Sequence, residues 1–77
     1  MASDFEYFVK SCKEFDYILY KLEECETCSL YMVYRSYEFK NNFYRTEPTY
    51  FVFSGEKEIL NTKNYLYAYN CYKSQGW

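Results

Sequence analysis

Apolar residues in the first third of the chain recur at three- and four-residue spacing. They are Phe5, Phe8, Val9, Cys12, Phe15, Leu19 and Leu22. This period places them along one side of a helix, with the charged residues on the other. Ser3 followed by Glu6 is a capping-box pattern, which marks a helix start. The pattern predicts an amphipathic helix over residues 4–24.

From residue 29 onwards, apolar and polar positions alternate, which is typical of strands. The alternation predicts strands over residues 29–39, 43–53, 58–60 and 65–72. Pro48 cannot donate to a central ladder, so it marks an edge, a bulge or a break in the second strand. Gly55 suits the first central position of a type II′ hairpin turn. The alternative for the last segment is one helix over residues 56–73, but Tyr65, Tyr67 and Tyr69 alternate and favour a strand.

These elements predict an α+β fold with one N-terminal amphipathic helix packed on an antiparallel sheet of three to four strands. A chain of 77 residues and 9.5 kDa sustains one small core, so residues 1–77 are expected to form a single domain. One helix covers one face of a sheet, which leaves the other face open to solvent.

The open face is predicted to be rich in tyrosine, of which the chain has 12. Strand alternation assigns seven residues to this surface: Tyr31, Arg35, Tyr37, Tyr50, Tyr65, Tyr67 and Tyr69. A contiguous aromatic patch of this kind usually marks an interaction site. Tyrosine suits such a site because it offers a large contact area with few rotatable bonds. The alternative is ordinary cross-strand packing.

The charges divide the chain into an acidic first part and a basic second part. Residues 1–28 carry seven acids and three lysines, whereas residues 29–77 carry four acids and six bases. Glu23, Glu24 and Glu26 fall at the end of the predicted helix, where the macrodipole favours cations. These glutamates are candidate binding residues for a basic partner or a metal, although a solvated helix end is the favoured alternative because charge runs mostly face water.

Two of the four cysteines form a Cys-x-x-Cys motif, Cys25 and Cys28. A redox pair needs a thiol pKa lowered by a helix N-terminus or by basic neighbours, but this motif follows a predicted helix and lies among glutamates. A four-sulfur zinc site usually has a second close pair, whereas Cys12 and Cys71 are isolated. We expect reduced thiols, no metal site and no cofactor.

The composition argues against an enzyme. The chain has no histidine, the usual general base at neutral pH, and Glu56 and Glu58 are the only carboxylate pair whose spacing converges on one strand face. No secretory signal and no apolar run long enough to span a membrane are visible, so a cytoplasmic protein without membrane contact is expected.

In size and composition across its whole length, the chain resembles the small inhibitors that phages encode against host defence, such as anti-CRISPR proteins. The resemblance implies a viral protein in the host cytosol that blocks a host protein or ribonucleoprotein complex, such as a defence nuclease, by occluding a surface. A homodimer would cover the same tyrosine face. The alternative is a single-stranded nucleic-acid binder that stacks bases on Tyr31, Tyr37, Tyr65 and Tyr67. A net charge of −2 disfavours nucleic acid as a partner.

Overall fold

The computed structural model of the chain describes residues 3–76 and has an α+β fold. Its elements in chain order are α1 (Asp4–Glu14), β1 (Ile18–Glu24), β2 (Cys28–Tyr34), β3 (Ser36–Phe39), β4 (Asn42–Arg45), β5 (Thr49–Ser54), β6 (Lys57–Thr62) and α2 (Tyr65–Gly76). Four strands form an antiparallel sheet in the order β1-β2-β5-β6, and β3 pairs with β4 in a separate two-stranded sheet.

The two helices cover opposite faces of the four-stranded sheet. On one face, α1 packs on Tyr31, Val33 and Phe53. On the other face, α2 packs on Leu30 and Val52. Because neighbouring residues of β2 point to opposite faces, this strand is buried on both sides. The molecule therefore has three layers, and each face of the four-stranded sheet carries a helix, whereas the prediction left one face open.

The first helix is ten residues shorter at its C-terminal end than the pattern predicts. Asp16 adopts a φ of 58°, and the N–H of Tyr17 donates to the carbonyl oxygen of Cys12 at 2.8 Å, which ends the helix. Residues 18–24 form β1 instead. Leu19 packs against the α1 side and Leu22 against the α2 side. Residues three apart share a side of a helix but lie on opposite faces of a strand, so the helical spacing was misleading.

The start of α1 follows the capping pattern. The Ser3 hydroxyl oxygen accepts a hydrogen bond from the N–H of Glu6 at 3.1 Å. We expect Ser3→Ala to lower the free energy of unfolding by about 1 kcal/mol, because this backbone donor loses its partner. Urea denaturation followed by circular dichroism measures the change. Ser3→Asp retains an acceptor and should keep most of the stability, and an equal loss in both variants would contradict a capping role.

The segments predicted as strands over 29–39 and 43–53 each contain two strands. Arg35 separates β2 from β3, and Pro48 lies in the break between β4 and β5. At the tip, Lys40 and Asn41 have φ values of 51° and 65°, as a two-residue type I′ turn requires. Residues 28–54 therefore form one long hairpin whose distal part, β3–β4, extends beyond the four-stranded sheet.

The last element is a helix, so the prediction of a strand over residues 65–72 is wrong. Asn64 caps the helix start, since its side-chain oxygen accepts from the N–H of Tyr67 at 3.0 Å. Ala68 and Tyr72, one turn apart, are buried against the sheet. The alternative helix over 56–73 was right for the second half of its range, whereas its first half contains β6.

Candidate interaction surface

The predicted tyrosine face does not form a single exposed surface. Tyr31, its first member, is only 6% exposed. Its ring lies 5.7 Å from that of Phe8 in α1 and 5.8 Å from that of Phe53 in β5. Tyr31 is a core residue because α1 lies on the sheet face that was predicted to be open.

Three of the predicted tyrosines do come together, on the other side of the sheet. The ring of Tyr65 lies 5.4 Å from that of Tyr50 and 5.8 Å from that of Tyr69, one helical turn away. Tyr50 and Tyr69 are half-buried and pack against the α2-side core. These rings mainly dock α2 onto the sheet. Tyr67 is exposed on the outer side of α2.

The predicted acidic patch lies on a strand and a turn, not at a helix end. Glu23 and Glu24 belong to the edge strand β1, and Glu26 lies in the turn that follows. Glu24 forms an ion pair with Lys21. Charged side chains on an edge strand discourage unwanted strand pairing. The β1–β2 register places these glutamates at the end of the sheet opposite β3 and β4.

The largest group of exposed aromatic side chains is on β3 and β4, which we call the aromatic hairpin (residues 36–45). Its exposed rings are Tyr37, Phe39, Phe43 and Tyr44. Of these four residues, only Tyr37 belongs to the predicted tyrosine face. The sequence does indicate that this segment lies outside the core, because residues 35–47 contain no Val, Leu, Ile or Met and carry five charged residues. Such a segment cannot supply a strand to an aliphatic core.

The aromatic hairpin presents rings on both of its faces. Tyr37 pairs with Tyr44 across the strands, and their rings stack at 5.5 Å with an interplanar angle of 22°. Phe39 shares this face by strand alternation. Phe43 is opposite Glu38 and points to the other face, where it is 80% exposed. A partner could therefore contact aromatic surface from either side.

Backbone and cation–π contacts hold the base of the aromatic hairpin. The N–H of Arg35 donates to the Thr46 hydroxyl at 2.9 Å, and the N–H of Thr46 donates to the Arg35 carbonyl at 2.8 Å. The guanidinium of Arg35 lies 5.5 Å from the ring centre of Tyr17, and that of Arg45 lies 5.3 Å from that of Tyr34. These contacts fix the direction in which the rings project.

A cleft of about 420 Å³ lies beside this base, between α1 and the sheet. Phe8, Val33 and Phe51 contribute apolar surface to its lining. Glu47 and Lys63 also line it and lie 3.7 Å apart in an ion pair. The cleft is large enough to accept an apolar side chain from a partner that contacts the hairpin.

Comparisons with protein-family models, with curated proteins and with solved structures found no match. Over residues 3–76, no group of three or more acidic, cysteine or histidine side chains is arranged to hold a metal ion. Neither α1 nor α2 is long and apolar enough to cross a membrane.

Proposed function

We propose that the protein is a non-catalytic protein-binding module that uses the aromatic hairpin as its contact surface. The observation that carries the proposal is the exposure of Tyr37, Phe39, Phe43 and Tyr44 on a projecting element with a fixed base. Aromatic side chains dominate the energetically important positions of protein interfaces.

The hairpin contributes little to the core, which favours a role in binding. Every residue from 36 to 45 is exposed. An isolated two-stranded hairpin is only marginally stable in water. An exposed aromatic patch on a small protein usually marks an interaction site, so we expect a partner to cover the four rings. A partner that clamps the hairpin could also place a side chain in the adjacent cleft.

The finer proposal is that the partner is a host protein or ribonucleoprotein complex, such as a defence nuclease, which the protein blocks by occlusion. Its support is the resemblance to anti-CRISPR proteins in size and composition. Addition of the purified protein to the nuclease reaction tests it directly. Loss of cleavage with the wild-type protein but not with a hairpin variant is the expected result, and undiminished cleavage would exclude the nuclease as the target.

Single-stranded nucleic acid is the second candidate partner. Arg35, Lys40 and Arg45 lie beside the exposed rings, and stacking of bases on aromatic side chains is a common binding mode. Two observations weigh against it. The guanidinium groups already lie over the rings of Tyr17 and Tyr34. Glu38 and Glu47 also offset two of the three positive charges of the segment.

Affinity capture from host lysate with matched variants tests the binding surface. We expect Phe39→Ala and Phe43→Ala, one on each face of the hairpin, each to weaken capture of a defined partner. Truncation of a central interface aromatic costs about 2 kcal/mol, or roughly thirtyfold in Kd. Quantitative mass spectrometry identifies the captured partner, and titration with that partner measures the change in Kd.

Tyr67→Ala is the matched control, because Tyr67 is an aromatic residue on α2 whose exposure, 61%, is close to the 57% of Phe39. It should bind as the wild type does. Loss of binding in Tyr67→Ala but not in the hairpin variants would move the site to α2. A protein that captures no partner but shifts a single-stranded oligonucleotide would replace the proposal with the nucleic-acid alternative. Light scattering would reveal a homodimer that covers the rings.

A further inference from the structure

The Cys-x-x-Cys motif lies in the tight turn between β1 and β2. The N–H of Cys25 donates to the Cys28 carbonyl at 2.9 Å, and the N–H of Cys28 donates to the Cys25 sulfur at 3.2 Å. The Thr27 hydroxyl oxygen is 3.8 Å from both sulfurs. Both thiols are therefore held next to the same hydroxyl group, on a turn fixed by one backbone hydrogen bond and one hydrogen bond from a backbone N–H to sulfur.

The surroundings of Cys25 stabilise its thiolate. The N–H of Thr27 contributes most to lowering the pKa of Cys25, and the Thr27 hydroxyl, the N–H of Cys28 and the Tyr72 hydroxyl add to the effect against opposing desolvation. The sequence pattern predicts the opposite, since it places the motif after a helix and among glutamates. The motif is in fact preceded by a strand, and its turn directs N–H groups at the sulfur.

The other thiols lie in less favourable surroundings. Burial raises the pKa of Cys12 in the α1-side core. Burial and the nearby Cys28 raise the pKa of Cys71 on α2. Cys28 is buried, whereas Cys25 is partly accessible to solvent. The motif thus combines a partly accessible sulfur with a buried sulfur three residues further along the chain.

We propose that Cys25 and Cys28 form a peroxide-responsive thiol pair, in which Cys25 reacts first and Cys28 closes a disulfide. The Cys25 thiolate attacks one oxygen of hydrogen peroxide. The O–O bond breaks, hydroxide leaves and takes up a proton, and Cys25 becomes a sulfenic acid. The Cys28 sulfur then attacks the Cys25 sulfur, and the sulfenic oxygen leaves as water. Two thiols and one peroxide give one disulfide and two waters.

Peroxide titration of the reduced full-length protein tests the pair. We expect the wild type to lose two hydrogens in intact mass. Proteolysis after Glu26 separates the two cysteines, so a surviving linked peptide identifies their disulfide. Cys28→Ser should stop at a sulfenic acid that dimedone traps on Cys25. Cys25→Ser should react at least about tenfold more slowly, since the remaining thiols lack its activation. Cys12→Ser and Cys71→Ser should behave as the wild type.

Alkylation of the wild type by iodoacetamide gives a second readout that needs no cysteine variant. Cys25 should be modified fastest, and Tyr72→Phe should shift its pH profile upward because a donor to the thiolate is lost. Tyr72 and Cys71 face the pair from α2, and Glu23 of β1 interacts with Tyr72. A Cys25→Ser variant that oxidises at the wild-type rate, a disulfide that includes Cys71, or faster alkylation of Cys12 or Cys71 would overturn the proposal.

Discussion

Replacing Phe53 by alanine is expected to lower the free energy of unfolding by about 3–5 kcal/mol. Phe53 is only 1% exposed, and its ring lies 4.9 Å from that of Phe8 and 5.5 Å from that of Phe5. The substitution leaves a cavity between α1 and the sheet. Small domains are stable by about 5 kcal/mol or somewhat more, so most of the stability would be lost. Urea denaturation monitored by circular dichroism measures the loss.

Phe43→Ala is the matched control for this prediction. The same side chain is removed, but from a position where it is 80% exposed. We expect a change within about 0.5 kcal/mol, as for most surface substitutions. Equal destabilisation by the two variants would mean that the aromatic hairpin packs on the core, and it would also remove the basis for proposing the hairpin as a binding surface.

Local signals in the sequence predicted the parts of the fold that depend on few residues. Ser3 marks the start of α1, and its hydroxyl caps the helix as the pattern indicated. The gap between the predicted strands at residues 40–42 contains the turn at Lys40 and Asn41, and this turn and the one at Gly55 join antiparallel strands. The φ of Gly55, 61°, lies in the region that glycine adopts without strain. Each of these features is decided within about four residues, so tertiary contacts did not override it.

The two segments in which helix and strand were exchanged, residues 18–24 and 65–72, share a physical cause. Residues four apart, such as Tyr65 and Tyr69, lie on the same side in both a helix and a strand. Leu19 and Leu22 fitted the helical stripe, although a strand places them on opposite faces that are both covered. Periodicity alone could not decide between the structures, because the choice depends on which surfaces the rest of the chain covers.

The exposed aromatic surface can be located from the sequence only if both faces of the four-stranded sheet are recognised as covered. Residues 30–34 are an uninterrupted apolar run, which is typical of a strand buried on both sides. That run predicts a second covering layer, and therefore no open face for Tyr31. The exposed aromatic residues had to lie elsewhere. The absence of aliphatic residues from 35 to 47 indicates where, whereas the exposure of Phe43 required the structure.

Replacing Ala68 by glutamate is expected to destabilise the protein by at least about 3 kcal/mol. Ala68 has no exposed surface and lies among Leu30, Val52 and Tyr72 in the α2-side core. The longer side chain overpacks this contact, and its carboxylate would be buried without a partner. Denaturant unfolding gives the magnitude. Loss of the far-ultraviolet helical signal before global unfolding would indicate that α2 detaches from the sheet.

Leu66→Glu distinguishes the helical structure of this segment from the strand that the alternation predicts. In a strand, residues 66 and 68 share a face, so both glutamates would enter the core and destabilise it to a similar extent. In a helix, the two positions lie about 200° apart around the axis. Leu66 is 67% exposed on α2, so Leu66→Glu should change the free energy of unfolding by less than about 0.5 kcal/mol. A large loss in both variants would contradict the helical assignment, and with it the second layer that buries Leu30 and Val52.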